Sequence, residues 1–308
     1  MNEEKKKYCR IDKWHKAGYT GKGVKIAVFE NFKGHGANVA DILKQVAPDA
    51  EILERPKPGL TTINGHLTPE SQGKIRQFYW SLVGESVNIV EMSLGGNDTP
   101  EIEQAQRGVL LANNVTLITS AGNEGERGLS DAATLDTWIS VGACTLINGK
   151  PKRTHYSSIG EKLDVCGFSG LYLSAGRYVH GTSFSAPWVA GMLALWFQWH
   201  KEKYGRYPTP EESLGFLKEN AKDLLEPGHD PKTGYGLFVL PEISSLEGTK
   251  SMTTKLKDLD KVAPWARQSV AKAIKKEIMK GDGENWDPKG IVTREQLAVI
   301  LDRLDLLE

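Results

Sequence analysis

The sequence predicts an α/β fold: a mostly parallel, twisted sheet with helices on both faces, followed by a small helical C-terminal module. Three observations carry that reading. Short apolar runs rich in Val and Ile recur between residues 24 and 243, continuous enough to be buried on both faces. Stretches with helical spacing of apolar residues separate them. Beyond about Leu240 the strand-like runs stop and helical spacing alone continues. Strands that alternate with helices imply right-handed crossovers onto one sheet.

Taken in order, residues 24–30, 50–53, 87–93, 115–121 and 138–143 read as strands. Between the first two, residues 35–46 place Val39, Ile42, Leu43 and Val46 on one helical face, and residues 102–113 do the same with Ala105, Val109 and Leu110. The domain reading is an N-terminal extension over 1–22, a core over 23–243, a polar linker over 244–255 and a helical module over 256–308. In the module, Trp265, Val270, Ala273 and Ile274 suit one helix and Leu297, Ile300, Leu301 and Leu304 a second.

Composition narrows the function. Thirty-nine basic and thirty-nine acidic side chains among 308 residues cancel, so no net field favours nucleic acid or an anionic membrane. No apolar run is long enough to cross a bilayer. Cys9, Cys144 and Cys166 have neither disulfide-framework nor zinc-ligand spacing. The charged start, Met1 to Lys7, leads into no apolar signal segment, so a cytoplasmic location is expected, with cell-wall association after lysis as the alternative.

The chemistry concentrates in a few segments. Gly181-Thr182-Ser183-Phe184-Ser185-Ala186-Pro187 opens a helix rich in small residues. A serine there sits in positive potential beside backbone N–H groups able to hold an oxyanion, although a plain N-cap also fits a Thr-Ser pair. Ser120-Ala121-Gly122-Asn123 follows a strand with a side-chain amide donor, and Met92-Ser93-Leu94-Gly95-Gly96 ends another in glycines that permit close backbone approach. Gly34-His35-Gly36 precedes a helix, five residues after the strand-ending Glu30.

Together and in this order, these segments resemble the subtilisin-like serine proteases over roughly residues 14–243, including Gly18 to Val24, Tyr156 to Gly160 and Gly234-Tyr235-Gly236. The resemblance implies that Ser183 is the nucleophile, His35 the general base and Asn123 the oxyanion donor beside the Ser183 N–H. It further implies that Ser93, Leu94 and Gly95 pair with an extended peptide substrate, and that Ser120, Ala121 and Gly122 help to wall the pocket before the scissile bond.

The chain departs from that family at the acid, which is Glu30 where Asp is usual. Glutamate reaches about 1.5 Å further, and the link from acid to histidine, Asn31 to Gly34, is very short. The expected triad is therefore Glu30-His35-Ser183, with Asp41 facing away as a poor substitute acid. The short link also lacks a region from which relatives take calcium ligands, so no metal or other cofactor is expected. Loop 124–136 carries Glu124, Glu126, Asp131 and Asp136, a candidate preference for basic peptides.

Lys257-Asp258-Leu259, Trp265-Ala266, Gly281, Trp286-Asp287-Pro288 and Val292-Thr293-Arg294-Glu295 resemble one S-layer homology repeat. That resemblance implies binding of anionic cell-wall polysaccharide, with Arg294 meeting the acidic sugar. Two functions follow: a serine endopeptidase acting through an acyl-enzyme on protein or peptide, or a catalytically degenerate relative serving as a peptide- or wall-binding adaptor. One reading of the N-terminal residues 1–22 is that they partly cover the cleft until displaced; the other is that they simply precede a leaderless protease.

Overall fold

The computed structural model describes residues 2–94 and 99–247, together with 261–262, 270, 273, 279, 286–287, 290 and 292–302. The chain divides into two units, Met1–Leu240 and Pro241–Glu308.

In the first unit, the strands are β1 (Lys25–Val28), β2 (Glu51–Glu54), β3 (Thr62–Ile63), β4 (His66–Leu67), β5 (Ile89–Met92), β6 (Thr116–Ser120), β7 (Ile139–Ile147), β8 (Lys150–Arg153), β9 (Val165–Phe168), β10 (Leu171–Tyr172), β11 (Tyr178–Val179), β12 (Ala221–Lys222) and β13 (Leu237–Phe238). Among the described residues, nine of them form one sheet in the order β12-β13-β9-β7-β6-β5-β1-β2, with β8 antiparallel to β7. Every pairing from β2 through β1, β5, β6 and β7 to β9 is parallel. The chain moves outward from β1 to β2, then returns to add β5 on the other side of β1. Strand order thus reverses between β1 and β5, where the strand ends of a parallel sheet leave a crevice.

Period-two alternation gives the sheet two distinct faces. Ala27 and Phe29 from β1 and its end, with Val90 and Met92 from β5, join Ile75, Tyr79 and Leu82 of helix α4 (Pro69–Gly84) in one buried cluster. On the opposite face lies α6 (Thr182–Tyr204), packed against β5, β6, β7 and β9 and buried on nearly all sides through His200. It is apolar around its circumference, as an interior helix must be. Helix α3 (His35–Val46) crosses α6 closely: a Cβ added at Gly191 would lie 2.7 Å from the Val46 Cβ.

Helices α1 (Glu3–Tyr8) and α2 (Ile11–Lys16) correct the reading of residues 1–22 as an extension over the cleft. Cys9, Ile11 and Trp14 are fully buried, and Asn2 bonds to Gln45 and to the Tyr172 backbone. The buried Gln198 carbonyl accepts from the consecutive N–H groups of Thr20, Gly21 and Lys22 at 2.9–3.1 Å. These residues complete the core instead of covering the site, because their apolar side chains have no other place to be buried.

Helix α4 (Pro69–Gly84) has no counterpart in the sequence reading, although its start is well marked. Thr68 caps it by accepting from the Ser71 N–H, and Pro69 occupies the first turn. Helix α5 (Pro100–Ala105) continues through a wider turn, Gln106–Leu110, to Asn113. Helix α7 (Pro210–Glu219) opens with a Thr209–Glu212 capping box.

In the second unit, Ile243–Glu247 is a short helix within the stretch read as linker, and Ser245 bonds back to the Glu242 carbonyl. A C-terminal helix spans Arg294–Asp302, where Thr293 and Gln296 exchange capping hydrogen bonds. Leu297 is 49% exposed and Arg294 is exposed. Gly95, linker residues 248–255, Trp265, Ile274 and Leu304, and the module positions 256–259, 266, 281 and 288, lie outside the described residues.

Candidate active site

The reversal of strand order brings together the residues that the sequence separates. Glu30 stands two residues past β1, Ser93 one past β5, and Gly122 and Asn123 follow the end of β6. His35 and Ser183 occupy the first turns of α3 and α6.

Glu30 is 6% exposed, and both its carboxylate oxygens meet Nδ1 of His35, at 2.8 and 3.1 Å. Phe29, packed against Phe78, Tyr79 and Trp138, anchors the chain immediately before it. The link then turns sharply, and glycine makes the turn feasible. Gly34 has φ +56°, and a Cβ at Gly36 would lie 2.2 Å from the Asn31 carbonyl and 2.8 Å from the Glu30 Cβ. The imidazole rests against the Phe184 ring, with centroids 5.5 Å apart, next to Ser183. Asp41 accepts from Gln45 and from the Ser174 N–H, away from the histidine.

In the rotamer present, the Ser183 hydroxyl donates to the Ser93 carbonyl at 3.3 Å. No hydrogen bond joins it to His35 among the described residues. Asn123 is oriented by Thr182, whose N–H and hydroxyl both donate to Oδ1, at 2.9 and 3.1 Å. That fixes the amide with Nδ2 as its free donor. The Thr182 hydroxyl also accepts from the Gly122 N–H. Gly122 itself has φ +105°, and a Cβ there would lie 2.8 Å from the Ser158 hydroxyl.

Ser93, Ser120 and Ala121 are buried, whereas Leu94 is 40% exposed at the cleft edge. A cavity of about 810 Å³ includes Asn123 and Gly181 in its lining, with Arg153, His155, Tyr156 and His180. Loop 124–136 presents less negative charge than its sequence suggests, because Glu124 pairs with Arg127 and Asp136 with Lys162.

Thr182, Phe184 and Glu91 are further members that the sequence reading did not single out. Glu91 is fully buried on β5, and its Oε1 meets the Ser93 hydroxyl. Burial, reinforced by the nearby Glu30, pushes its carboxyl up to about 8 despite the Ser93 hydrogen bond. An acidic residue inside an otherwise apolar strand run was the available signal. Among the described residues, no group of three or more His, Cys, Asp or Glu side chains is gathered as a metal site, and no helix is long and apolar enough to cross a membrane.

Comparisons with known proteins agree with this architecture. The Subtilase family model matches residues 5–236, and the S-layer homology domain model matches 255–298. An intracellular serine protease of Paenibacillus polymyxa is 29% identical over 240 residues, covering 71% of this chain and 70% of that one. The major intracellular serine protease of Bacillus subtilis (strain 168) is 28% identical over 221 residues, covering 63% of this chain and 65% of that one. The chain thus spans about two thirds of the length of these curated relatives. The crystal structure of a lanthipeptide protease shares the fold with a TM-score of 0.60 at 19% identity, over 77% of this chain and 92% of that one. The family match covers most of the sheet-bearing unit and every residue of the cleft, so the chain belongs to the subtilase family, as a subtilisin-like serine endopeptidase followed by an S-layer homology segment.

Proposed function

We propose that the protein cleaves peptide bonds through an acyl-enzyme, using Glu30, His35 and Ser183 as a variant triad. The observation that supports this most is the contact of the Glu30 carboxylate with His35 Nδ1 at 2.8 Å. An accepting carboxylate there keeps the proton on Nδ1 and leaves Nε2 as the base. Rotation of the Ser183 side chain from the Ser93 carbonyl towards Nε2 completes the relay, a motion open to a half-buried serine on the picosecond-to-nanosecond scale. The hydroxyl attacks the scissile carbonyl while its proton passes to Nε2. The tetrahedral oxyanion takes hydrogen bonds from Asn123 Nδ2 and the Ser183 N–H. As the C–N bond breaks, the histidinium returns the proton to the leaving amine. Water then repeats the sequence to release the acid.

The acyl half of the substrate runs along Ser93, Leu94 and Gly95. The leaving half crosses the cavity beyond Asn123, which shares Asn123 and Gly181 with the site but neither Ser93 nor Leu94. The chemistry calls for no metal. A fluorophosphonate probe tests this reading, since only an activated serine reacts quickly. We expect labelling of the full chain that is lost in Ser183→Ala and falls by orders of magnitude in His35→Ala. Wild-type protein that stays unlabelled would favour the second reading, a peptide-binding adaptor, which the Ser183–Ser93 bond of the present rotamer supports.

The segment over 256–308 attaches the protein to anionic cell-wall polysaccharide, with Arg294 at an exposed helix start as a contact. The S-layer homology match favours a cell-surface setting over the cytoplasmic one. Co-sedimentation of the full chain with purified wall polysaccharide should be salt-sensitive and weaker in Arg294→Ala. Absence of retention at low salt would dismiss the idea.

A further inference from the structure

The site contains one titratable group that the reaction above does not use, and counting protons assigns its state. Helix α6 has Pro187 four residues after Ser183, so the N–H that would ordinarily bond the Ser183 carbonyl is absent. The Ser93 hydroxyl replaces it, 2.9 Å from that carbonyl. A carbonyl can only accept, so the single Ser93 hydroxyl proton is committed to Ser183. The same hydroxyl oxygen lies within hydrogen-bond distance of Glu91 Oε1. With the serine proton already in use, that second bond exists only if Glu91 supplies its own.

We propose that Glu91 is a positioning residue that works as a neutral acid, donating through the Ser93 hydroxyl to the backbone of the nucleophile Ser183. The proposal rests on the reading of Ser183 as nucleophile.

The surroundings agree with a neutral carboxyl. Glu91 has no exposed surface, and its other oxygen, Oε2, has no partner, a state costly for a carboxylate and mild for an acid. Its register partners on either side are Val28 of β1 and Ile118 of β6, both buried and apolar. Alternation places Glu30, two residues after Val28, and Ser93, two after Glu91, on the same face of the sheet. The charged group acting on Glu91 is therefore Glu30 from the end of β1, whose carboxylate also meets His35; α6 brings Ser183 and Ser185, neither of which titrates near neutrality. A second carboxylate here would sit beside the first and turn the Ser93 proton away from Ser183, leaving the nucleophile's carbonyl without a donor.

The sign follows. Below the Glu91 pKa the chain of bonds is intact; as pH rises through about 8 the proton leaves and acylation slows. Because the folded pKa lies above the unfolded value, stability declines as pH rises from the ordinary carboxylate range to about 8 and levels off once the folded group has ionised. The test is the fluorophosphonate labelling rate and peptide kcat/KM of the full-length wild type from pH 5 to 10, beside Glu91→Gln. Glutamine keeps a neutral donor without a titrating proton. We expect the wild type to lose about tenfold in kcat on an alkaline limb, with KM little changed. Glu91→Gln should stay within about threefold of wild type near pH 6.5 and lack that limb. A wild-type profile with no alkaline limb up to pH 10, or the same limb in Glu91→Gln, overturns the proposal. The wild-type arm stands whether or not the variant folds. Absence of Ser183 labelling at every pH would instead remove the protease reading itself.

Discussion

The two halves of the cleft are built by different means. The proposed acid–base half occupies seven consecutive residues, Glu30 to Gly36, and its geometry is local: a strand end anchored by Phe29, a turn through Gly34, and a helix start pressed against the Asn31 carbonyl at Gly36. The proposed nucleophile half draws Ser93, Asn123, Thr182 and Ser183 from three separate crossovers, and each holds another in place. A local half can adjust its reach by changing one side chain. In the assembled half, each group is fixed by a partner from another element, so a change in one displaces the next. Under the proposed triad, this accounts for glutamate in the first half: the short link and the longer side chain together bring the carboxylate to His35 Nδ1.

That contrast can be broken, starting with the largest effect. Glu30→Gln preserves length and removes the charge that stabilises the histidinium, and should lower kcat by about 10⁴-fold. Glu30→Asp keeps the charge and draws the carboxylate back by about one bond; kcat/KM should fall about 100-fold, the typical result of an ångström-scale misplacement. A fully active aspartate variant would refute the idea that link length and side-chain length are matched. In the assembled half, removing one supporting hydroxyl while its backbone partner stays in place should cost less. Thr182→Val deletes the hydroxyl bonds to Asn123 and Gly122 but leaves the Thr182 N–H on Asn123 Oδ1. Of the two lost bonds, only the one to Asn123 bears on the oxyanion donor, and a loss of about fivefold in kcat, with KM nearly constant, matches that one neutral hydrogen bond. Stopped assays on a chromogenic peptide would measure all three.

Much of this was legible in the sequence. The runs ending at Glu30, Ser93 and Ala121 bracket the observed strands, and the helix expected at 35–46 spans His35–Val46 as observed. Glu30, His35, Asn123 and Ser183, read from short motifs, are brought to one edge of the sheet. Helix α4 went unread because its buried stripe, Ser71, Ile75, Tyr79 and Leu82, is sparse and interrupted by polar residues. The N-terminal segment was misjudged for the opposite reason: Cys9, Ile11 and Trp14 are few and flanked by lysines, yet all three are fully buried. Glu91 was not singled out, since nothing local reveals which groups the hydroxyl of its neighbour Ser93 will meet.

The linear chain, then, determined the alternation of strands and helices, the glycines at the sharp turn, and the short distance from acid to histidine, because each depends on neighbouring residues and on the steric limits of the backbone. The tertiary structure alone decided which strand ends share an edge, that the Ser183 carbonyl left free by Pro187 would find the Ser93 hydroxyl, and that Glu91 would be sealed from water. Those outcomes depend on strand order and on the desolvation of groups about ninety residues apart, and a buried hydrogen bond acquires its direction only when every donor and acceptor around it is in place.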